Sequence, residues 1–240
     1  MKSNYNVSVL SYVNPFFTTD DVTSKCEASK SRKSMYEFLE SKQWLVIDQN
    51  SGHTMLQEEE TGSQSTTIDL TNPDAKKWMR DVVLRCQVMG LSKFCDDTFP
   101  ISPSSKSNST TTNVIGFMAD FGEHLPYQSC QVHSGKDMIE HHNEQPALWS
   151  ELTSEAIVGT TLEHVGLPFH RSGNAKSPGS VRSFWAGDQE GTWGQNDGIA
   201  SLPRTYISSG LSGWVRCFCM CVCVFFSLCT HTDTHTHTTG

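Results

Sequence analysis

Apolar and polar positions divide this chain into many short runs. Residues 7–13 alternate, are rich in β-branched side chains and stop at Asn14-Pro15, a strand pattern followed by a turn. Residues 25–40 are polar with apolar positions at Met35, Phe38 and Leu39, which predicts an amphipathic helix with one buried edge. A short apolar run at 44–48, followed by Asn50-Ser51-Gly52, reads as a strand and turn. Residues 66–70 predict another strand. Asn72-Pro73 then supplies an N-cap and a first-turn proline, and Ala75, Trp78, Met79, Val82 and Val83 recur at helical spacing. Strand, helix and strand in this order imply a parallel sheet, hence an α/β fold.

Residues 91–113 interrupt the pattern with a polar, Ser/Thr-rich low-complexity loop. An apolar run follows (Val114, Ile115, Phe117, Met118) and ends in Asp120, Gly122, Glu123 and Leu125-Pro126. A carboxylate at the point where a buried strand leaves the core can be held by packed backbone and still face a pocket; the alternative for Asp120 is a helix cap. Pro146 is expected to start a helix carrying Leu148, Trp149, Leu152 and Ala156, and residues 167–170 and 183–186 are two more short strands. Trp78 and Trp149 fall on apolar helical stripes and are expected in the core.

Composition narrows the function classes. The 240 residues carry a net charge of −8, with no basic patch to neutralise phosphates, so no nucleic-acid partner is expected. Hydrophobic content is 36%, low for a complete α/β enzyme. Met1 is followed by Lys, Ser, Asn and Tyr without an apolar stretch, so no signal peptide is read there, and the compartment stays unassigned. The sequons at Asn6 and Asn108 matter only in a secreted chain. Of the nine cysteines, Cys26, Cys86, Cys95 and Cys130 are scattered without metal-ligand spacing, and the odd total argues against a complete disulfide framework. Neither a metal site nor a cofactor is expected: His141 and His142 are adjacent and do not share a helical face.

The strings MADFGEHLP (118–126) and SFWAGDQ (183–189) resemble glycoside hydrolase family thirty-one, most closely its sulfoquinovosidase branch. Shorter matches lie colinear with them: VLSYVNPFF (9–17), IDLTNPDAKKW (68–78), HNEQPALW (142–149), FHRSG (169–173) and DGIAS to LSG (197–213). The resemblance implies a (β/α)8 TIM barrel, of which residues 1–213 hold the middle strands, with 91–113 as an insertion. It also implies a retaining α-glycoside hydrolase acting on α-sulfoquinovosides, with Asp120 as nucleophile, Asp188 as acid/base, and Arg171, Trp185 and Gln189 binding substrate. The ends of barrel strands line such an active site, so Asp120, Arg171 and Asp188 converge on one face. Phe184 and Trp185 could wall the acid, Glu123 either supports the site or faces a helix dipole, and His142 and Asn143 read as a solvated pair on a loop. A carbohydrate is the expected partner, with no membrane and no assigned oligomeric state. A plain α-glucosidase and a non-catalytic relative remain alternatives.

The resemblance ends after Gly213. The segment beyond it is short for a membrane span and contains Arg216, and its alternating cysteines fit no zinc geometry well. Cys-Val-Cys-Val and His-Thr-His-Thr are what TG and CA dinucleotide repeats encode, so residues 214–240 are taken as a non-homologous tail of translated intron with no function. The chain alone is expected to be an incompetent enzyme, with low order at 91–113 and beyond Trp214.

Overall fold

The computed structural model describes residues 8–19, 34–58, 62–95, 114–164, 166–181, 183–214 and 216–218. In chain order these hold β1 (Val9–Val13), β2 (Phe16–Thr18), α1 (Met35–Ser41), β3 (Ile47–Asp48), β4 (Gln57–Glu58), β5 (Gln64–Thr67), α2 (Pro73–Trp78), β6 (Val114–Ala119), β7 (Cys130–Gln131), α3 (Met138–Ile157), β8 (Leu167–His170), α4 (Ser177–Ser180), β9 (Ser183–Trp185), α5 (Leu202–Leu211) and β10 (Arg216–Phe218). Five strands form one sheet in the order β1-β6-β8-β9-β10, with every pairing parallel. Helices separate successive members, the α/β alternation expected from the sequence.

One row of the register decides where the sheet presents its chemistry. Val13 pairs with Ala119, Ala119 with His170, and His170 with Phe184. The next residues along the first three strands are Asn14, Asp120 and Arg171, so these leave the sheet at one level.

The core lies beneath the helices. Phe117 and Ala119 of β6 pack with Trp149, Leu152 and Ala156 of α3 and with Trp78, Met79, Val82 and Val83 of α2 and its continuation. Both tryptophans are thus in the core, as their stripes predict. Burying a side chain such as Leu152, fully enclosed here, stabilises by roughly 1.5–3 kcal/mol. The opposite face is open: Leu10 and Tyr12 of β1 are 46% and 49% exposed.

Several elements differ from expectation. The strand before α2 joins an antiparallel sheet with β2 and β4, and the parallel partner of β6 is β1. Strand spacing alone cannot tell these apart, because β2 and β5 are brief and lie between the barrel-type elements. Asn72 does cap α2, accepting from the Asp74 and Ala75 N–H groups. The helix then widens into a π-helical stretch, Met79–Val88. Helix α3 begins at Met138, capped by the Asp137 carboxylate, so Pro146 lies inside it and His142 and Asn143 are helical. Proline is the stronger local mark of a helix start, but here the Asp137 cap sets the boundary. Helix α1 starts behind a Ser34–Glu37 capping box; the earlier part of the expected 25–40 helix lies outside the described residues. Cys86 and Cys95 are joined in a disulfide at the base of the 91–113 segment, of which 96–113 lies outside the described residues. Of the tail, only Trp214 and β10 are described, and β10 pairs with β9.

Candidate active site

Asp120 follows β6 directly and is 7% exposed. Its N–H donates to Val13 O at 2.9 Å, continuing the ladder one step past the strand. The chain then turns sharply, with Phe121 at φ 56° and Gly122 at φ 104°. A left-handed Phe costs on the order of 1 kcal/mol or more and persists where surroundings over-determine it. They do so here. The Phe121 carbonyl accepts from the Ser172 hydroxyl at 2.5 Å, and a Cβ at Gly122 would lie 2.8 Å from Trp149 Cδ1 and 2.9 Å from Ser172 Oγ. No helix starts at this turn, so the capping reading of Asp120 and the helix-dipole reading of Glu123 both fall away.

The turn aims the carboxylate at a cluster of donors. Asp120 Oδ1 accepts from the Phe121 N–H at 2.8 Å and lies 3.4 Å from Arg171 Nη1; Oδ2 accepts from the Tyr12 hydroxyl at 2.7 Å. Arg171 is itself held: its Nε and Nη2 donate to Glu123 Oε1 at 3.1 and 2.5 Å, and its guanidinium lies 4.2 Å from the Phe121 ring centroid. Beneath it the His170 ring is fully buried, and burial pushes its imidazole down to about 3, so it is neutral. Thr153 Oγ1 donates to Ser150 O, so His170 Nε2, at 2.8 Å from that hydroxyl, carries the ring proton.

The second acidic loop is differently made. Asp188 lies three residues past β9, is exposed, and has no hydrogen-bond or ion-pair partner among the described residues. Phe184 packs on Trp214 at 5.4 Å, and Trp185, 2% exposed, donates through its indole N–H to Gly187 O. Trp185 reaches the site through Arg171, whose guanidinium is 5.8 Å from its ring. Gln189 folds back, its amide donating to Ala186 O at 2.6 Å. The structure therefore brings Asp120 and Arg171 together, with Trp185 under Arg171, and leaves Asp188 and Gln189 on a loop of their own.

Tyr12 and Ser172 were missed by the sequence reading. Both lie inside motifs that were singled out, SYVNP and FHRSG, and strand alternation gives the face of Tyr12 once β1 is placed against β6. His142 is no solvated loop residue: its Nδ1 contacts the Leu125 carbonyl. Among the described residues no His/Cys/Asp/Glu cluster could hold a metal ion, and no helix is long and apolar enough to cross a membrane.

Residues 1–237 match the glycosyl hydrolases family 31 TIM-barrel domain, and the chain belongs to that family. The sulfoquinovosidase of Escherichia coli (strain K12) is 28% identical over 207 residues, covering 86% of this chain and 25% of that protein. The sulfoquinovosidase of Agrobacterium fabrum is 24% identical over 211 residues, covering 88% and 26%. A family 31 sulfoquinovosidase from E. rectale, solved with an aza-sugar inhibitor, superposes with a TM-score of 0.70 at 25% identity over 90% of this chain and 27% of that one. The catalytic subunit complex of ER glucosidase II shares the fold, with a TM-score of 0.63 at 16% identity over 90% and 21%. The chain spans about a quarter of the length of its curated relatives.

Proposed function

We propose that this member of family 31 is a retaining α-glycoside hydrolase acting on α-sulfoquinovosides, with Asp120 as nucleophile and Asp188 as acid/base. The observation that carries it is the anchoring of Asp120: a nearly buried carboxylate at the end of a parallel strand, beside an arginine that a second carboxylate locks in place. Such a group is fixed before substrate arrives, which lowers the entropic part of the barrier. Retention needs a second carboxyl about 5 to 5.5 Å away to protonate the leaving oxygen and later activate water. Asp188 is the acid on the loop after β9, and an exposed loop can close over a bound sugar and lose its water there. The substrate class is supported by the two sulfoquinovosidase relatives.

The described sheet has five parallel strands, whereas a closed barrel of this type has eight. The reading therefore includes a second element: the chain supplies the middle of the barrel, and turnover requires the strands that close it. The tail beyond Gly213 contributes no catalytic group. Turnover of nitrophenyl α-sulfoquinovoside against nitrophenyl α-glucoside by the full-length protein tests the substrate class, with preference for the sulfonated sugar expected. A clear preference for glucoside rejects it. A substrate-bound structure with Asp120 and Asp188 far apart would reject the assignment of the pair.

A further inference from the structure

The two oxygens of Asp120 are gripped unequally. Oδ1 is held by fixed donors: the Phe121 N–H belongs to the same turn, and Arg171 is tied to Glu123. Among the described residues Oδ2 has a single partner, the Tyr12 hydroxyl at 2.7 Å. Tyr12 comes from another strand, pairing with Met118 across the β1–β6 ladder, and stands on the open face of the sheet. Its oxygen receives the Asn14 amide at 3.4 Å, which orients the O–H towards Asp120. A sugar arriving on the open face thus meets Oδ2 and Tyr12 together, with Oδ1 turned towards the protein.

We propose that Tyr12 is a catalytic residue of this site: Oδ2 is the attacking oxygen, and the Tyr12 hydroxyl stabilises it as the leaving carboxylate when the glycosyl-enzyme breaks down. The proposal rests on Asp120 being the nucleophile. In the first step the Oδ2 lone pair forms a bond to the anomeric carbon, the bond to the aglycone oxygen breaks, and that oxygen takes the Asp188 proton. Oδ2 becomes a neutral ester oxygen, and its bond to Tyr12 weakens. In the second step the water oxygen bonds to the anomeric carbon, Asp188 takes the water proton, and the electron pair of the breaking ester bond returns to Oδ2. Negative charge then grows where a donor already points, so the hydrogen bond is stronger in the transition state than in the ester. Burial and the Asp120 carboxylate push the Tyr12 hydroxyl up to about 12, so it remains a donor across the working pH range.

Losing this donor should slow deglycosylation and spare glycosylation, because an unbonded carboxylate is the better nucleophile and the poorer leaving group. In the full-length protein, Tyr12→Phe should lower kcat on a nitrophenyl α-glycoside by on the order of 10²-fold. KM should fall by a similar factor, with a burst of nitrophenolate and an intact mass raised by one glycosyl unit. Azide, a better acceptor than water, should restore much of kcat. An equal loss of kcat and kcat/KM without a burst would overturn the proposal, as would unchanged kinetics. A fluorinated tyrosine at position 12, a more acidic donor of nearly the same size, should hold kcat at or above wild type; a fall to the phenylalanine level would also count against it. Wild-type protein without glycosidase turnover would remove the nucleophile assignment itself. Turnover abolished by Asp120→Asn but indifferent to Tyr12→Phe would remove only the role of Tyr12.

Discussion

The loops after β6 and β9 leave the same edge of one sheet, and each carries an acid, a positive-φ glycine and a nearby aromatic. Their physical states differ. Around Asp120 the neighbouring Phe121 N–H is joined by restraints that cross the fold: Tyr12 from β1, Arg171 and Ser172 from beyond β8, Trp149 from α3. Around Asp188 the restraints are local, the Trp185 indole on Gly187 O and the Gln189 amide on Ala186 O. One carboxylate is set in place by tertiary packing, and the other rides on a self-contained turn. That division suits a nucleophile that must stay fixed and an acid/base that must meet the leaving group and then water.

The largest effect that could break this comparison is on turnover in the full-length protein. Asp120→Asn should abolish hydrolysis of every substrate, a loss of about 10⁴-fold or more, because no step remains without the nucleophile. Asp188→Asn should cost about 10²–10⁴-fold on substrates with poor leaving groups and far less on nitrophenyl glycosides, whose oxygen departs without a proton. Steady-state rates on both substrate types measure this, and equal losses would undo the assignment of roles.

The next effect is on stability, and the two glycines carry it. Gly122→Ala must both hold φ 104° and displace Trp149 and Ser172, so denaturant unfolding should show a loss of about 3 kcal/mol. Gly187→Ala meets only the strain of φ 90°, since its nearest neighbour, the Gln189 amide nitrogen, is 4.0 Å away, and should cost about 1 kcal/mol. Equal losses would mean that the two loops are packed alike.

How much of this was legible follows the same division. The strand ending at Asp120 and the helical stripe behind Pro73 could be read because both depend on spacing within one segment. The Arg171–Glu123 pair, 48 residues apart, and the Tyr12–Asp120 bond, 108 apart, depend on strand register, which no local pattern encodes. Even local chemistry misled where two signals competed: Pro146 and Asp137 both mark helix starts, and only the second has its side chain on the Ile139 and Glu140 N–H groups. The 66–70 pattern marks extended backbone, of which 66 and 67 lie in β5, but not pairing direction, since strands of three or four residues carry no mark of parallel or antiparallel partners.

The smallest effect distinguishes the loops by pH. Behind Arg171, His170 titrates at about 3 when folded because burial disfavours its cation, whereas an unfolded histidine titrates near 6.5. The unfolded chain therefore binds the proton first. The stability from this residue is complete above about pH 6.5 and declines as the pH falls towards about 3, below which both states are charged; at pH 5.5 the loss is on the order of 1 kcal/mol. His141, which burial also shifts down, acts in the same direction, partly offset by Asp69 and Glu144. His170→Phe removes the titrating group and leaves Thr153 Oγ1 its bond to the Ser150 carbonyl. Melting curves at pH 7.5 and 5.5 should thus diverge less in His170→Phe than in wild type. Trp185, whose indole donates to Gly187 O in the Asp188 loop, does not titrate. Amide exchange at the lower pH should rise first at the Phe121–Glu123 turn, and earlier loosening of the Gly187–Gln189 turn would contradict the assignment of His170 as the support of the first loop.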